Sequence, residues 1–251
     1  MKLNVKNDEV VFGTNILKVR VPKALRNKFK SGLDFVDCAL GGEGFTPSQV
    51  LLFTGTPGAG KTTMMLTLAD QITKSGGLVV FNTAEESLFQ VKLIAERLGL
   101  KSGFAVGQET HVPTLLESCD KLRAKRGNKN KPFFLIVDSL QCMDDGKYAN
   151  GSVNSQSATR ALALITDYCK EQFVNAIVIG QVNKEGKMSG SNKLKHMVDA
   201  MITLSVEEKD PDLRGCRVLQ TTKNRFGGCG HTFFLALNGK GFTEVARVSA
   251  A

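Results

Sequence analysis

The sequence predicts an α/β protein with a mainly parallel central sheet flanked by helices and antiparallel strands closing its C-terminal end. Three observations predict it. Short apolar runs rich in β-branched residues alternate with amphipathic stretches between residues 50 and 180, the pattern of successive βαβ units. After Gly180 the helical stretches give way to apolar runs joined by short, Gly-rich turns, as expected of antiparallel strands. The chain has 251 residues, 42% of them hydrophobic and 23% charged. That is enough for a sizeable core and unlike disordered, collagenous or disulfide-stapled chains. No apolar run approaches the ~18 residues of a membrane span. The opening MKLNVKNDEV lacks the apolar stretch of a secretory signal, so a cytoplasmic protein without membrane contact is expected.

In chain order, the predicted parallel strands are 50–54, 78–82, 133–137 and 175–180, each a run of apolar residues bounded by turn formers. Residues 62–74, 87–98, 113–125 and 155–172 carry apolar residues three and four apart and are predicted helices. Residues 200–205, 216–222 and 232–237 are the predicted antiparallel strands, with turns at Gly227, Gly228 and Gly230. No linker divides the chain, so a basic segment over residues 1–30 and one domain over 31–251 are expected. Six cysteines stand singly with no CxxC pair, which points to reduced, packed thiols rather than a zinc or redox site.

The net charge of +9 is concentrated. Residues 1–30 hold eight Lys/Arg against two acids, residues 121–131 hold six basic residues and no acid, and residues 184–195 hold four lysines against Glu185. Such clustering is what a polyanion-binding face requires; a solvated helix end and a flexible tail would look the same in sequence. There is no tryptophan and only two tyrosines, so any base-stacking platform would come from Phe or Arg.

Residues 55–62, Gly-Thr-Pro-Gly-Ala-Gly-Lys-Thr, fit the phosphate-loop pattern between an apolar strand and an amphipathic helix. Gly55, Gly58 and Gly60 allow the backbone, with Thr56, Pro57 and Ala59, to wrap a phosphate. The N–H groups opening the next helix, through Thr62 and Thr63, point at it. Lys61 is expected to reach the β- and γ-phosphates of ATP and the Thr62 hydroxyl to ligate Mg2+. The apolar run 133–137 ends in Asp138, placing an acid at the carboxyl edge where open α/β sheets bind ligands; Asp138 is the expected second Mg2+ partner. Hydrolysis also needs a group to orient water. Glu85 and Glu86 follow a strand at the same edge, and either fits that role or that of a first-turn helix acid favoured by the dipole.

The order of these motifs resembles a known family. The phosphate loop, Asn-Thr-Ala-Glu-Glu-Ser, Ile-Val-Asp-Ser-Leu-Gln, Gly-Gln-Val-Asn-Lys-Glu-Gly and Lys-Asn-Arg-Phe-Gly are similar to the RecA-like ATPase core of bacterial RadA (Sms), over about residues 30–245. Lys223-Asn224-Arg225-Phe226-Gly227 is its most specific motif. The zinc finger and Lon-like domain of that family are missing from this sequence, which therefore resembles a stand-alone core like the compact RecA-fold recombination proteins of phages. The resemblance implies that Glu85 is the catalytic glutamate and Gln181 senses the γ-phosphate. It also implies that Lys223 and Arg225 reach into a neighbouring subunit's nucleotide, within a homo-oligomeric ring or filament. The segments 143–154 and 183–195 then correspond to mobile channel loops. Lys184, Lys187, Lys193 and Lys195 would hold single-stranded DNA there by its phosphates, without reading bases. A branch-migration or helicase-type motor of recombination and repair is expected, with a strand-annealing or strand-exchange recombinase as the alternative. A KaiC-like regulatory ATPase acting on a protein partner is the reading from another class.

Overall fold

The computed structural model describes residues 12–148, 151–154, 156–181 and 191–249. Nine strands form one sheet in the order β3-β2-β4-β5-β1-β6-β7-β8-β9. The parallel part is β1 (Val50–Gly55), β2 (Leu78–Thr83), β3 (Ala105–Gly107), β4 (Phe133–Asp138), β5 (Asn175–Gln181) and β6 (Ala200–Val206). The antiparallel strands β7 (Arg217–Asn224), β8 (Thr232–Asn238) and β9 (Gly241–Val248) extend it from β6.

The apolar runs are unbroken because both faces of the central strands are covered. In β1, Leu51 and Phe53 face a core shared with α1 (Asp34–Ala39), α2 (Lys61–Lys74) and α3 (Leu88–Leu98). Val50 and Leu52 face a second core shared with α4 (Val112–Arg123), α5 (Ser157–Gln172) and α6 (Ser191–Met197). The same alternation runs through β4 and β5, with Ile136 and Ile177 on one side and Leu135 and Val178 on the other. Among the described residues no helix is long and apolar enough to cross a membrane. All six cysteines are free; burial pushes the Cys119 thiol up to about 12, so it is inert at neutral pH.

The predicted elements are all present within two or three residues. The sequence reading missed α1, β3, α6 and β9. β3 has only three residues, and β9, Gly-Phe-Thr-Glu-Val-Ala-Arg-Val, lies on the sheet edge with only Gly241 buried, so no apolar run announces it. The segment 183–195 is not wholly a loop, because residues 191–197 form α6. The start of the other expected mobile loop is also fixed. Asp144 and Asp145 are buried; Asp145 pairs with Arg160, and the Asp144 backbone bonds to Thr110 and Val112.

Candidate nucleotide site

The phosphate loop leaves β1 at Gly55 and enters α2 at Lys61. Two glycines are required there by geometry. A Cβ at Gly55 would lie 2.4 Å from the Leu204 carbonyl oxygen of β6, and Gly60 has φ +99°, with Leu237 and Phe242 of the β8–β9 hairpin 3.0 Å from where its Cβ would stand. The Lys61 ammonium donates to the carbonyls of Gly55 (3.0 Å) and Thr56 (3.2 Å), so it lies folded back over the loop. Burial lowers its pKa, against the pull of Asp138 and Glu85, which makes it receptive to an anion that would restore its full charge.

Beside the loop, the Thr62 hydroxyl donates to Asp138 Oδ2 at 2.8 Å, although β5 separates β4 from β1. Asp138 is buried, which pushes its carboxyl up to about 6 while the Thr62 bond opposes the rise. This pair of hard oxygen donors next to a phosphate cradle fits Mg2+, which favours one or two protein oxygens and keeps phosphate and water as its other ligands. Thr62 and Asp138 are the residues that would hold it.

Glu85 and Glu86 precede α3 rather than opening it. Ser87 is the N-cap, in a reciprocal capping box with Gln90, and no acid lies in the helix's first turn, so the helix-dipole alternative is set aside. Thr83, at the end of β2, fixes the turn by accepting from the Glu86 N–H (3.0 Å) and donating to the Glu86 carbonyl (2.7 Å). The two carboxylates then diverge. Glu85 is exposed and accepts both 3.0 Å and 2.8 Å hydrogen bonds from Gln181 Nε2, at the end of β5. Glu86 Oε2 is buried without a partner, and burial together with the Glu85 charge raises its pKa. Pro57, Gly58, Gly60, Lys61, Thr62, Glu85, Glu86, Asp138 and Gln181 line one cavity of about 470 Å³.

Lys223 and Arg225 lie elsewhere. β7 runs antiparallel to β6, so its end lies at the amino edge of the sheet: Lys223 pairs with Met201, which stands beside Leu52, and Asn224 pairs with Ala200, beside Leu51. At about 3.3 Å per residue this is roughly 10–13 Å below Gly55, and two strands to the side. Both cations serve the carboxyl end of α6. Lys223 donates to the carbonyls of Lys195 (2.6 Å) and Val198 (2.8 Å), and Arg225 donates to that of His196 (3.2 Å). Lys193 and Lys195 are exposed on α6, whereas Lys184 and Lys187 lie outside the described residues.

No family model matches the chain. It is 32% identical over 221 residues to the DNA repair protein RadA of Aquifex aeolicus, covering 88% of this chain and 47% of that one. With RadA of Haemophilus influenzae it is 33% identical over 224 residues, covering 89% and 46%. The chain is a RadA-like RecA-fold core. It spans about half the length of the curated relatives it matches. Among solved structures, an isolated ATPase domain superposes with a TM-score of 0.73 at 16% identity, covering 89% of this chain and 93% of that one. A DnaB-like replicative helicase gives 0.75 at 15% identity over 88% and 62%. A KaiC-like protein of Pyrococcus horikoshii gives 0.67 at 20% over 88% and 99%. These establish the fold as that of RecA-like P-loop ATPases.

Two supports of this RadA-like core escaped sequence reading. One is Asp199, which is buried before β6 and accepts from the Val50 N–H (3.0 Å) and Lys170 (2.5 Å), with Arg225 3.5 Å away. It ties the start of β1 to α5 and to the Lys-Asn-Arg-Phe-Gly turn. A lone Asp after an apolar residue carries no signal for this. The other is Phe242, which closes over Gly60 from β9 and so shapes the phosphate loop from about 180 residues away.

Proposed function

We propose that this chain is an ATP-driven, single-stranded-DNA-binding motor of DNA recombination and repair, whose active site is completed by a neighbouring subunit. The observation that carries the reading is the Gln181–Glu85 hydrogen bond. It joins the mouth of the nucleotide cavity to the residue from which the chain leaves for the lysine-bearing segment 184–195.

In the proposed reaction, the loop amides and Lys61 hold the β- and γ-phosphates of ATP, with Lys61 exchanging its two carbonyl partners for phosphate oxygens. Mg2+, when bound at Thr62 and Asp138, supplies charge neutralisation of the phosphate oxygens. Glu85 is the exposed, hydrogen-bonded member of the glutamate pair and takes the proton of the attacking water. As the water oxygen bonds to the γ-phosphorus, the bond to the bridging oxygen breaks and ADP leaves with its electron pair. Gln181 loses or gains its hold on Glu85 as the γ-phosphate comes and goes, which changes the pose of the segment that follows. Lys184, Lys187, Lys193 and Lys195 bind DNA through phosphates, so binding is salt-dependent and indifferent to sequence. Lys223 and Arg225, far from their own subunit's phosphate loop, act on the nucleotide of the next subunit in a ring or filament.

The test is ATP turnover with and without single-stranded DNA, at low and moderate salt, across protein concentrations that span self-assembly. Stimulation by DNA that weakens with salt and rises steeply with protein concentration is expected. Turnover indifferent to DNA at every concentration would overturn the motor reading in favour of a regulatory ATPase.

A further inference from the structure

The fold brings together two basic stretches that the nucleotide site leaves unused. At the amino edge of the sheet, on the side away from the phosphate loop, a cavity of about 480 Å³ lies between residues 23–29, the loop that leads into β4 and the junction of α5 with β5. Lys23 and Lys28 reach it from the N-terminal segment, and Arg123, Lys129 and Lys131 from the 121–131 run; no carboxylate lines it. Two of these cations are already engaged, Lys28 with Glu43 (3.1 Å) and Arg123 with Asp120 (3.0 Å). Lys23, Lys129 and Lys131 are exposed and make no ion pair among the described residues. Converging cations without acids leave a local positive potential that an anionic ligand relieves.

The cleft is also aromatic. Phe173 caps α5 in the left-handed conformation (φ +54°) and is 40% exposed at the rim. An exposed phenyl ring among free lysines is the combination that binds an unpaired base by its face and the flanking phosphates by charge. A duplex would offer the phosphates without the base. An acidic peptide would leave the ring uncovered, and the basic N-terminal segment of a second copy would be repelled. We propose that this cleft is a second single-stranded-DNA site, with Phe173 stacking a base and Lys23, Lys129 and Lys131 holding phosphates. Lys28, which donates to the Phe226 carbonyl at 3.5 Å, joins it to the Lys-Asn-Arg-Phe-Gly turn. The inference shares with the proposed function only its ligand and does not depend on the segment 184–195.

The chain lacks tryptophan, so Phe173→Trp installs a single fluorescent reporter at the rim. Titration of that full-length variant with oligothymidylate should quench its emission. Adding Lys129→Ala and Lys131→Ala should weaken the quench-detected affinity about tenfold and reduce the salt slope by about 1.4, two phosphates' worth for a single strand. The quench should persist when Lys184→Ala and Lys187→Ala are introduced instead, which separates this site from the channel reading. Emission that stays constant while anisotropy of labelled DNA reports binding would overturn the proposal, as would equal quenching by a duplex or by polyglutamate. Wild-type protein irradiated with an oligonucleotide bearing 5-iododeoxyuridine should crosslink at Phe173; crosslinks confined to other segments would overturn it independently of how the Trp variant folds.

Discussion

Replacing Arg225 by alanine tests whether the active site spans two subunits. In one subunit the Arg225 guanidinium donates to the His196 carbonyl and faces Asp199, at the amino edge of the sheet, while the phosphate loop begins at the carboxyl edge roughly 10–13 Å along the strands. A finger acting in trans stabilises transition-state charge by about 10³–10⁵ in rate, so Arg225→Ala should lower turnover by about that factor. The structural cost should be small. Asp199 retains Lys170 and the Val50 amide, and Arg225 is half exposed, so about 1 kcal/mol or less is expected. Lys61→Ala subunits are equally inactive for a different reason, the lost phosphate contact. When the two variants are mixed at equal ratio before assembly, about a quarter of random interfaces pair an intact phosphate loop with an intact Arg225, and turnover should recover to about a quarter of the wild-type value. The assay is steady-state phosphate release on mixtures whose subunit exchange is verified by native mass spectrometry. No recovery at any ratio, with exchange demonstrated, would refute the trans arrangement.

Lys61→Ala alone should abolish nucleotide binding or turnover, and intact hydrolysis would remove the phosphate-loop assignment. Glu85→Gln should keep ATP binding while slowing single-turnover hydrolysis about 10²–10⁴-fold; unchanged hydrolysis would transfer the role to Glu86. Lys184→Ala with Lys187→Ala should weaken DNA binding and reduce its salt slope by about 1.4, read by fluorescence anisotropy at several salt concentrations. Lys170→Met leaves the Asp199 carboxylate, 2% exposed, without its 2.5 Å partner and should destabilise the protein by about 3 kcal/mol. For a chain of this size that corresponds to a midpoint about 6–12 °C lower in thermal unfolding, and a loss under ~1 kcal/mol would show that Arg225 and the Val50 amide suffice.

Much of the site was legible because its parts are local. A phosphate loop needs glycines and a Lys-Thr pair at fixed spacing, and a strand buried on both faces must read as one apolar run, so Gly55 to Thr63 and Asp138 stand out in the sequence alone. The capping box at Ser87 is also local, yet only the fold shows that it leaves Glu85 and Glu86 outside α3 and sends one carboxylate to solvent and the other inward. The distant partnerships had no local signature. Asp199 is an ordinary Asp until β1, α5 and the Arg225 turn converge on it, and Phe242 is an ordinary edge residue until β9 folds over Gly60.

The sequence by itself determined the α/β class, the strand order along the chain and the chemistry of the phosphate loop, since each follows from periodicity and spacing within about 15 residues. Tertiary structure alone decided that Lys223 and Arg225 stand at the opposite sheet edge from the loop, and that the basic stretches 1–30 and 121–131 share one cleft with Phe173. The physical reason is that sheet register and strand direction convert separation in sequence into distance in space, and no pattern of residue types along one segment carries that conversion.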